Sequence, residues 1–456
     1  MRKILASAIV VIFALTALVG CGGNGGGQTA TPTPTPTPTE AANNNQGDDT
    51  QTPELPTATA HSQGVTDTTI LVGNTAAVSG ALAVVGVPFV AGMEAYFAIV
   101  NEAGGVNGRT IEFVHHDDGF EAPRGIAATE QLIHDDRVFA IVGHFGTPTI
   151  GATLPMLKQE GIPVVYFAAG ISQLRMEGAN TPETGQRLFP VQPLFEPEGR
   201  VLIARAVDEY NATNIGIIFS NDEAGQDLVR GARTQAAELG GINLVEMQVT
   251  PGDAGSVTPA VLTMHNEDVE VIIIATLQDT FPIAVNAIVA QGLNVPVFTS
   301  YVSAAPVTIQ GFAADFIGAG ASFPVYTTAW LDIFNPNAPE DDPLLGFVPD
   351  YWEFAAGVGE DLAANTFAMA GWVAASTFVQ GLRAMGNPEF ITWEGLTYAL
   401  ENNPIDLPMG GVMNFSGGER TGTTAMSLLR ADAETFEWQP VRPLAQLEDI
   451  IANIRR

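Results

Sequence analysis

The chain has 456 residues, of which 50 are acidic and 18 basic, giving a formal net charge of −32 although charged residues make up only 15% of it. That surplus of negative charge excludes nucleic acid as a partner and argues against attraction to anionic lipid surfaces. One cysteine, Cys21, and two lysines, Lys3 and Lys158, leave no disulfide within the chain and little scope for thiolate or Schiff-base chemistry.

Arg2 and Lys3 precede an apolar run, 4–19, that is short for a membrane span and charged on one side only, which predicts a signal peptide over 1–20. Leu18-Val19-Gly20-Cys21 resembles the bacterial lipobox, which implies cleavage that leaves Cys21 to carry lipid. Residues 21–63 then change to Gly, Asn, Gln, Thr and Pro, with a Thr-Pro repeat from Thr31 to Thr39, and are expected to form a disordered tether. In polyproline II form the repeat spans on the order of 28 Å, enough to hold a folded body off a membrane.

From 64 onward, short β-branched runs alternate with helical stretches, the pattern of an α/β fold with parallel sheets, and the length suits two lobes. Strands are expected at 69–74, 110–115, 138–142, 163–167, 214–219, 243–249, 269–275 and 295–299. Phe89, Met93, Phe97 and Val100 recur at spacings of four, four and three, predicting a helix over 83–101 that buries this stripe and stops at Gly104-Gly105. The break at Phe189-Pro190-Val191-Gln192-Pro193 reads as a crossover between lobes.

Two loops carry the functional signal. The first strand run ends through His144, Phe145 and Gly146 at Thr147-Pro148, with Thr147 expected at a helix N-cap and Pro148 at the first helical position. The second ends at Ala168-Ala169-Gly170-Ile171-Ser172, small enough for a ligand to reach backbone N–H groups. At the carboxyl ends of parallel strands, such loops predict a carboxylate or other anion site. They hold no carboxylate pair, Cys or Lys, so binding is expected rather than catalysis; His144 beside Thr147 is the one hint of a hydrolytic base. His115-His116-Asp117-Asp118 has metal-ligating residue types, but neighbours on a strand face opposite ways, and no metal is expected. The glycines between Asn101 and Arg109 follow a helix and precede a strand, the wrong setting for a dinucleotide fingerprint, and no cofactor is expected.

Thr69-Ile70-Leu71-Val72-Gly73, Val78-Ser79-Gly80, Asn101-Glu102-Ala103-Gly104-Gly105-Val106-Asn107-Gly108-Arg109, Asp117-Asp118 and Ile141-Val142-Gly143-His144 together resemble the extracytoplasmic solute-binding proteins of branched-chain amino acid ABC transporters. The resemblance covers roughly 68–430. It implies a type I periplasmic-binding-protein fold, two Rossmann-like lobes joined by three hinge crossovers. Lobe 1 would comprise 64–190 and 327–406, and lobe 2 would comprise 191–326 and 407–456, with the later crossovers near 322–326 and 407–415. The implied partners are a small-molecule ligand, such as an amino acid or related carboxylate or amide, and ABC permease subunits. The protein would be a monomer, anchored to the cell membrane through its lipid.

Carried over residue by residue, the family's ligand-binding positions fall in the first lobe at Thr147, Ala168 and Gly170, with Phe145 in the same loop and an aromatic wall near Val85. In the second lobe they fall near Ala224 and at Tyr301 or Val302. Gly170 replaces a usual Thr or Ser, and no acid stands near Tyr301 to pair with a ligand ammonium; Asp279 is expected to substitute, with Asp222 and Glu223 as alternatives. Phe281, Tyr301 and Trp330 are candidate cleft aromatics. A ligand-binding sensory or receptor module on the same fold is the alternative function, and a hydrolase the third.

Overall fold

A computed structural model describes residues 60–80, 82–176, 187–277, 280–331, 348–385 and 389–454. The expected signal peptide, Cys21 and nearly all of the tether lie outside these, as does Asp279.

Val138, Phe139, Ala140, Ile141 and Val142 are all buried, as a parallel strand covered on both faces requires. The first block of elements runs β1 (Thr69–Ala76), α1 (Ala83–Glu102), β2 (Thr110–Asp117), α2 (Ala122–His134), β3 (Ala140–Phe145), α3 (Thr147–Glu160), β4 (Val164–Ala168) and β5 (Leu188–Phe189). The second runs α4 (Phe195–Tyr210), β6 (Asn214–Ser220), α5 (Glu223–Leu239), β7 (Asn243–Val249), α6 (Ala254–Asn266), β8 (Val271–Ala275), α7 (Thr280–Ala290), β9 (Val297–Thr299), α8 (Pro306–Gly318) and β10 (Val325–Ala329). The remainder is α9 (Val348–Val358), α10 (Thr366–Arg383), α11 (Trp393–Asn402), the hairpin β11 (Ile405–Leu407) and β12 (Gly411–Met413), β13 (Met426–Asp432), β14 (Glu437–Ala445) and α12 (Leu447–Ile454).

One sheet has the order β2-β1-β3-β4-β5, all parallel. The other has the order β14-β13-β10-β9-β8-β6-β7, parallel from β7 to β10 and antiparallel across β13 and β14. Its parallel part, β7-β6-β8-β9-β10, repeats the order of the first sheet. Each sheet therefore reverses direction beside its first strand, and that reversal leaves a crevice at the carboxyl ends. All eight expected strands are present, and so is the helix over 83–101. Its face of Phe89, Met93, Phe97 and Val100 is buried, and α1 packs so closely on α10 that a Cβ on Gly92 would lie 2.0 Å from the Ala368 carbonyl oxygen.

Strand pairing moves two expected crossovers. β10 pairs with β9 and β13, so residues 327–329 belong to the second sheet and the chain leaves it after Ala329. Residues 407–413 sit with the first lobe instead of the second, because the β11–β12 hairpin docks on α10. There Gln380 donates to the Asp406 carbonyl at 2.7 Å and accepts from the Asp406 N–H at 3.0 Å. The last crossover follows the hairpin, where Thr423 donates its N–H to the Val191 carbonyl of the first crossover at 2.8 Å.

Candidate ligand cleft

The carboxyl ends of β3 and β4 in the first lobe, and of β8, β9 and β10 in the second, meet around a cavity of about 840 Å³ including its open mouth. The first lobe contributes Val85 and Phe89 from α1, Phe120 after β2, Phe145 to Thr147, Ala168 and the start of α10; the second contributes Phe195, Leu277, Tyr301 and Trp330.

At the end of β3 the helix cap falls one residue earlier than expected. Gly146, not Thr147, is the N-cap of α3, at φ +93°, a conformation glycine tolerates. A Cβ there would also stand 3.0 Å from the Phe120 ring. Thr147 and Pro148 are the first two helical residues, and no side chain caps the helix. The Thr147 hydroxyl, released from capping, takes no partner among the described residues, and first-turn N–H groups have no intrahelical acceptor. Gly146 donates its N–H to the Ala168 carbonyl at 3.3 Å, tying the two predicted loops together.

Phe120 is held in a left-handed conformation, φ +66°, by Asp118. One Asp118 oxygen accepts the Phe120 N–H at 2.8 Å and the other accepts the Thr149 hydroxyl at 3.0 Å. Asp118 is fully buried, and burial pushes its carboxyl upward. Its neighbour Asp117 goes the other way: burial acts upward, but the Ser79 hydroxyl, the Gly119 N–H and Arg124 hold it at about 2. Asp117 thereby pins the Val78–Ser79 loop that leads into α1.

The second-lobe wall rests on Glu198 of α4, which is fully buried. It accepts from the Tyr301 N–H at 2.7 Å, the Ser300 hydroxyl at 2.7 Å and the Thr328 hydroxyl. A chain of hydrogen bonds crosses between the lobes: the Tyr166 hydroxyl donates to Gln192 at 2.9 Å, Gln192 donates to the Tyr301 hydroxyl at 3.0 Å, and that hydroxyl donates to the Pro193 carbonyl at 3.0 Å. Tyr166, buried in β4, adopts φ +71°, a costly conformation for a tyrosine. Outside the cavity, Asp227 of α5 accepts the Ser172 N–H at 2.6 Å, and Arg230 donates to the Ser172 hydroxyl at 2.8 Å.

Residues 69–435 match the family described as periplasmic binding protein. The chain belongs to the periplasmic binding protein family. Relatives include an amino acid binding protein of Pseudomonas aeruginosa, 24% identical over 68% of this chain and 76% of that protein. A Leu/Ile/Val-binding protein homolog 1 of Brucella abortus is 29% identical over 38% of this chain and 44% of that protein. Among solved structures, a branched chain amino acid ABC transporter protein from Thermus thermophilus with bound valine superposes with a TM-score of 0.69, at 17% identity over 85% of this chain and 97% of that one. A fatty acid ABC transporter substrate-binding protein from Thermomonospora curvata gives 0.68, at 18% identity over 85% and 96%. The type I periplasmic binding fold expected from the sequence is the fold observed, and the family is one of extracytoplasmic solute-binding proteins, not of enzymes.

Within this periplasmic binding protein, Val85, Phe145, Thr147, Ala168 and Tyr301 line the cavity, as do Val302 and Trp330. Gly170 does not: a Cβ there would meet the Pro193 carbonyl oxygen at 2.7 Å and the Phe195 nitrogen at 2.9 Å, so it is the point where the β4 loop packs on the first crossover. Ala224 is buried inside α5, away from the cavity lining, and Phe281 is buried in the second-lobe core edge-on to Phe312. Asp222 caps α5 by accepting the Gly225 N–H at 2.9 Å. Glu223 lies beside α3, where a Cβ on Gly151 would be 3.4 Å from its carboxylate oxygens, outside the described cavity lining. Sequence reasoning missed Phe89, assigned to the core, and Phe120, Gln192, Phe195 and Phe367. The signal for Phe120 was its place just past the Asp117-Asp118 pair, at the same sheet end as Phe145.

His144 is fully buried, with Nδ1 3.0 Å from the Thr75 hydroxyl and Nε2 2.8 Å from the Thr153 hydroxyl, and burial lowers it to about 3. It is a core residue and lines no part of the cavity. His115 meets Asn74 at 3.0 Å while His116 meets Asp136 at 2.7 Å, and among the described residues no three metal-ligating side chains cluster.

Proposed function

We propose that this chain is a lipid-anchored, extracytoplasmic substrate-binding protein that captures a small carboxylate or amide solute, amino acids included, and delivers it to an ABC permease. The observation that carries this reading is the cavity at the carboxyl ends of both sheets, with the Thr147 hydroxyl and the amino end of α3 at its first-lobe wall. The positive end of the helix dipole and unpaired N–H groups suit an anionic head, and aromatic rings from both lobes suit an apolar body. Because the walls belong to two lobes, a docked solute gains second-lobe contacts only when the lobes are together, and it stabilises closure by that difference. The relatives named for amino acids and for fatty acid support the same broad class.

The anchoring part rests on Leu18-Val19-Gly20-Cys21. Expressed in a bacterium, the wild type should sediment with membranes and Cys21→Ser should not. For solute capture, a thermal-shift screen of amino acids, short and aromatic acids, amides and urea should yield at least one hit. A solute at about 100 times its Kd stabilises the native state by about 2.7 kcal/mol. Silence across the panel at millimolar concentrations counts against capture.

A further inference from the structure

Among the described residues lining the cavity there is no Asp, Glu, Lys, Arg or His. The polar side chains there are Thr147, Gln192, Tyr301 and Thr366, and three of them are committed. Gln192 lies between the Tyr166 and Tyr301 hydroxyls, Tyr301 donates to the Pro193 carbonyl, and Thr366 donates to the Ala304 carbonyl at 3.0 Å. Of these four, Thr147 alone has a hydroxyl with no partner among the described residues, and it is only 9% exposed. It sits in the first turn of the 14-residue helix α3, where the N–H groups are also donors. The remaining wall is mostly hydrocarbon, led by Phe89, Phe120, Phe145, Phe195 and Trp330.

The uncommitted polar groups of the cavity wall thus lie at Thr147 and the first turn of α3, and they can donate. A carboxylate suits it. An α-ammonium beside that carboxylate would meet no charged side chain among the described lining residues, and a buried unpaired charge is strongly unfavourable. Resting on the solute-capture reading above, we infer that the cleft selects a hydrophobic monocarboxylate, an aryl- or branched alkyl-alkanoate, over the corresponding zwitterionic amino acid.

The test compares molecules that differ only in the α-ammonium, by calorimetric titration of the full chain: 3-phenylpropanoate against phenylalanine, and 4-methylpentanoate against leucine. At least one acid should bind, about 30-fold or more tighter than its amino acid, and Thr147→Val should weaken it about tenfold or more. Equal or tighter binding of an amino acid overturns the inference while leaving solute capture standing. If Asp279→Asn then abolishes that binding, Asp279 is the ammonium partner. Binding of none of the four also overturns it, and whether the protein captures another solute is then read from the broader thermal-shift panel.

Discussion

Glu198 accepts a 2.7 Å hydrogen bond from the backbone N–H of Tyr301, so a carboxyl group that does not line the cavity fixes an aromatic residue that does. The same group takes the Ser300 and Thr328 hydroxyls, which joins the ends of β9 and β10 behind Tyr301 and Trp330. Burial raises its pKa to about 7, against three donors that work downward. The folded value lies above the unfolded one, so this group's contribution to stability is present below an unfolded value of 4.5 and is lost as pH rises through 7. The loss across that window is on the order of 3 kcal/mol. Urea unfolding at pH 4.5 and 7.5 should show a steeper decline in wild type than in Glu198→Gln, and parallel declines would remove Glu198 from the account.

Thr147→Val keeps the shape of the side chain and deletes only the hydroxyl. Because that hydroxyl caps nothing and has no partner among the described residues, the melting temperature should hold within a few degrees. Solute affinity should fall about 10- to 100-fold, the worth of a hydrogen bond to a charged group. A large stability loss with unchanged affinity would mean the hydroxyl serves the fold.

His144 makes the opposite prediction. Its folded pKa is depressed to about 3, so the folded state resists protonation and stability falls as pH drops below 6.5 toward 3. Replacing it with Ala should cost a few kcal/mol at neutral pH, through lost packing and the loss of its hydrogen bonds with the Thr75 and Thr153 hydroxyls, and should shrink that acid-side slope. Incubation with candidate esters and amides should release no product from either protein; turnover abolished by His144→Ala would restore the hydrolytic reading.

Gly170→Thr supplies the residue usual in the resembled family. Here its Cβ would collide with the Pro193 carbonyl and the Phe195 backbone, so the expected result is a loss of 1–3 kcal/mol in chemical denaturation, typical of overpacking. A neutral or stabilising outcome would show that the first crossover yields easily at this point.

Much of the fold is legible because the β-branched runs are continuous and their period leaves little choice; all eight expected strands formed. The crossovers are less legible. Whether Val325–Ala329 joins one sheet or the other depends on pairing with Val297–Thr299 and Met426–Asp432, contacts the local sequence does not encode. The site divides the same way. Phe145, Thr147 and Ala168 follow from strand ends and small-residue loops. Phe89 belongs to a helical stripe indistinguishable from core, and Phe195 and Gln192 reach the cavity only because the first crossover folds back beneath it. Gly170 misled because a missing side chain reads as a lost contact, whereas close backbone packing requires it.

The most direct test is a calorimetric titration of the best solute from the thermal-shift panel into wild type and Ala168→Trp, with circular dichroism to confirm that the variant is folded. An indole at Ala168 fills the space between the two lobes' walls. The account predicts saturable one-to-one binding in wild type and none, or at least 100-fold weaker binding, in the filled variant. Unchanged affinity in Ala168→Trp would mean that the solute sits elsewhere and that the cleft between the sheets is not the capture site.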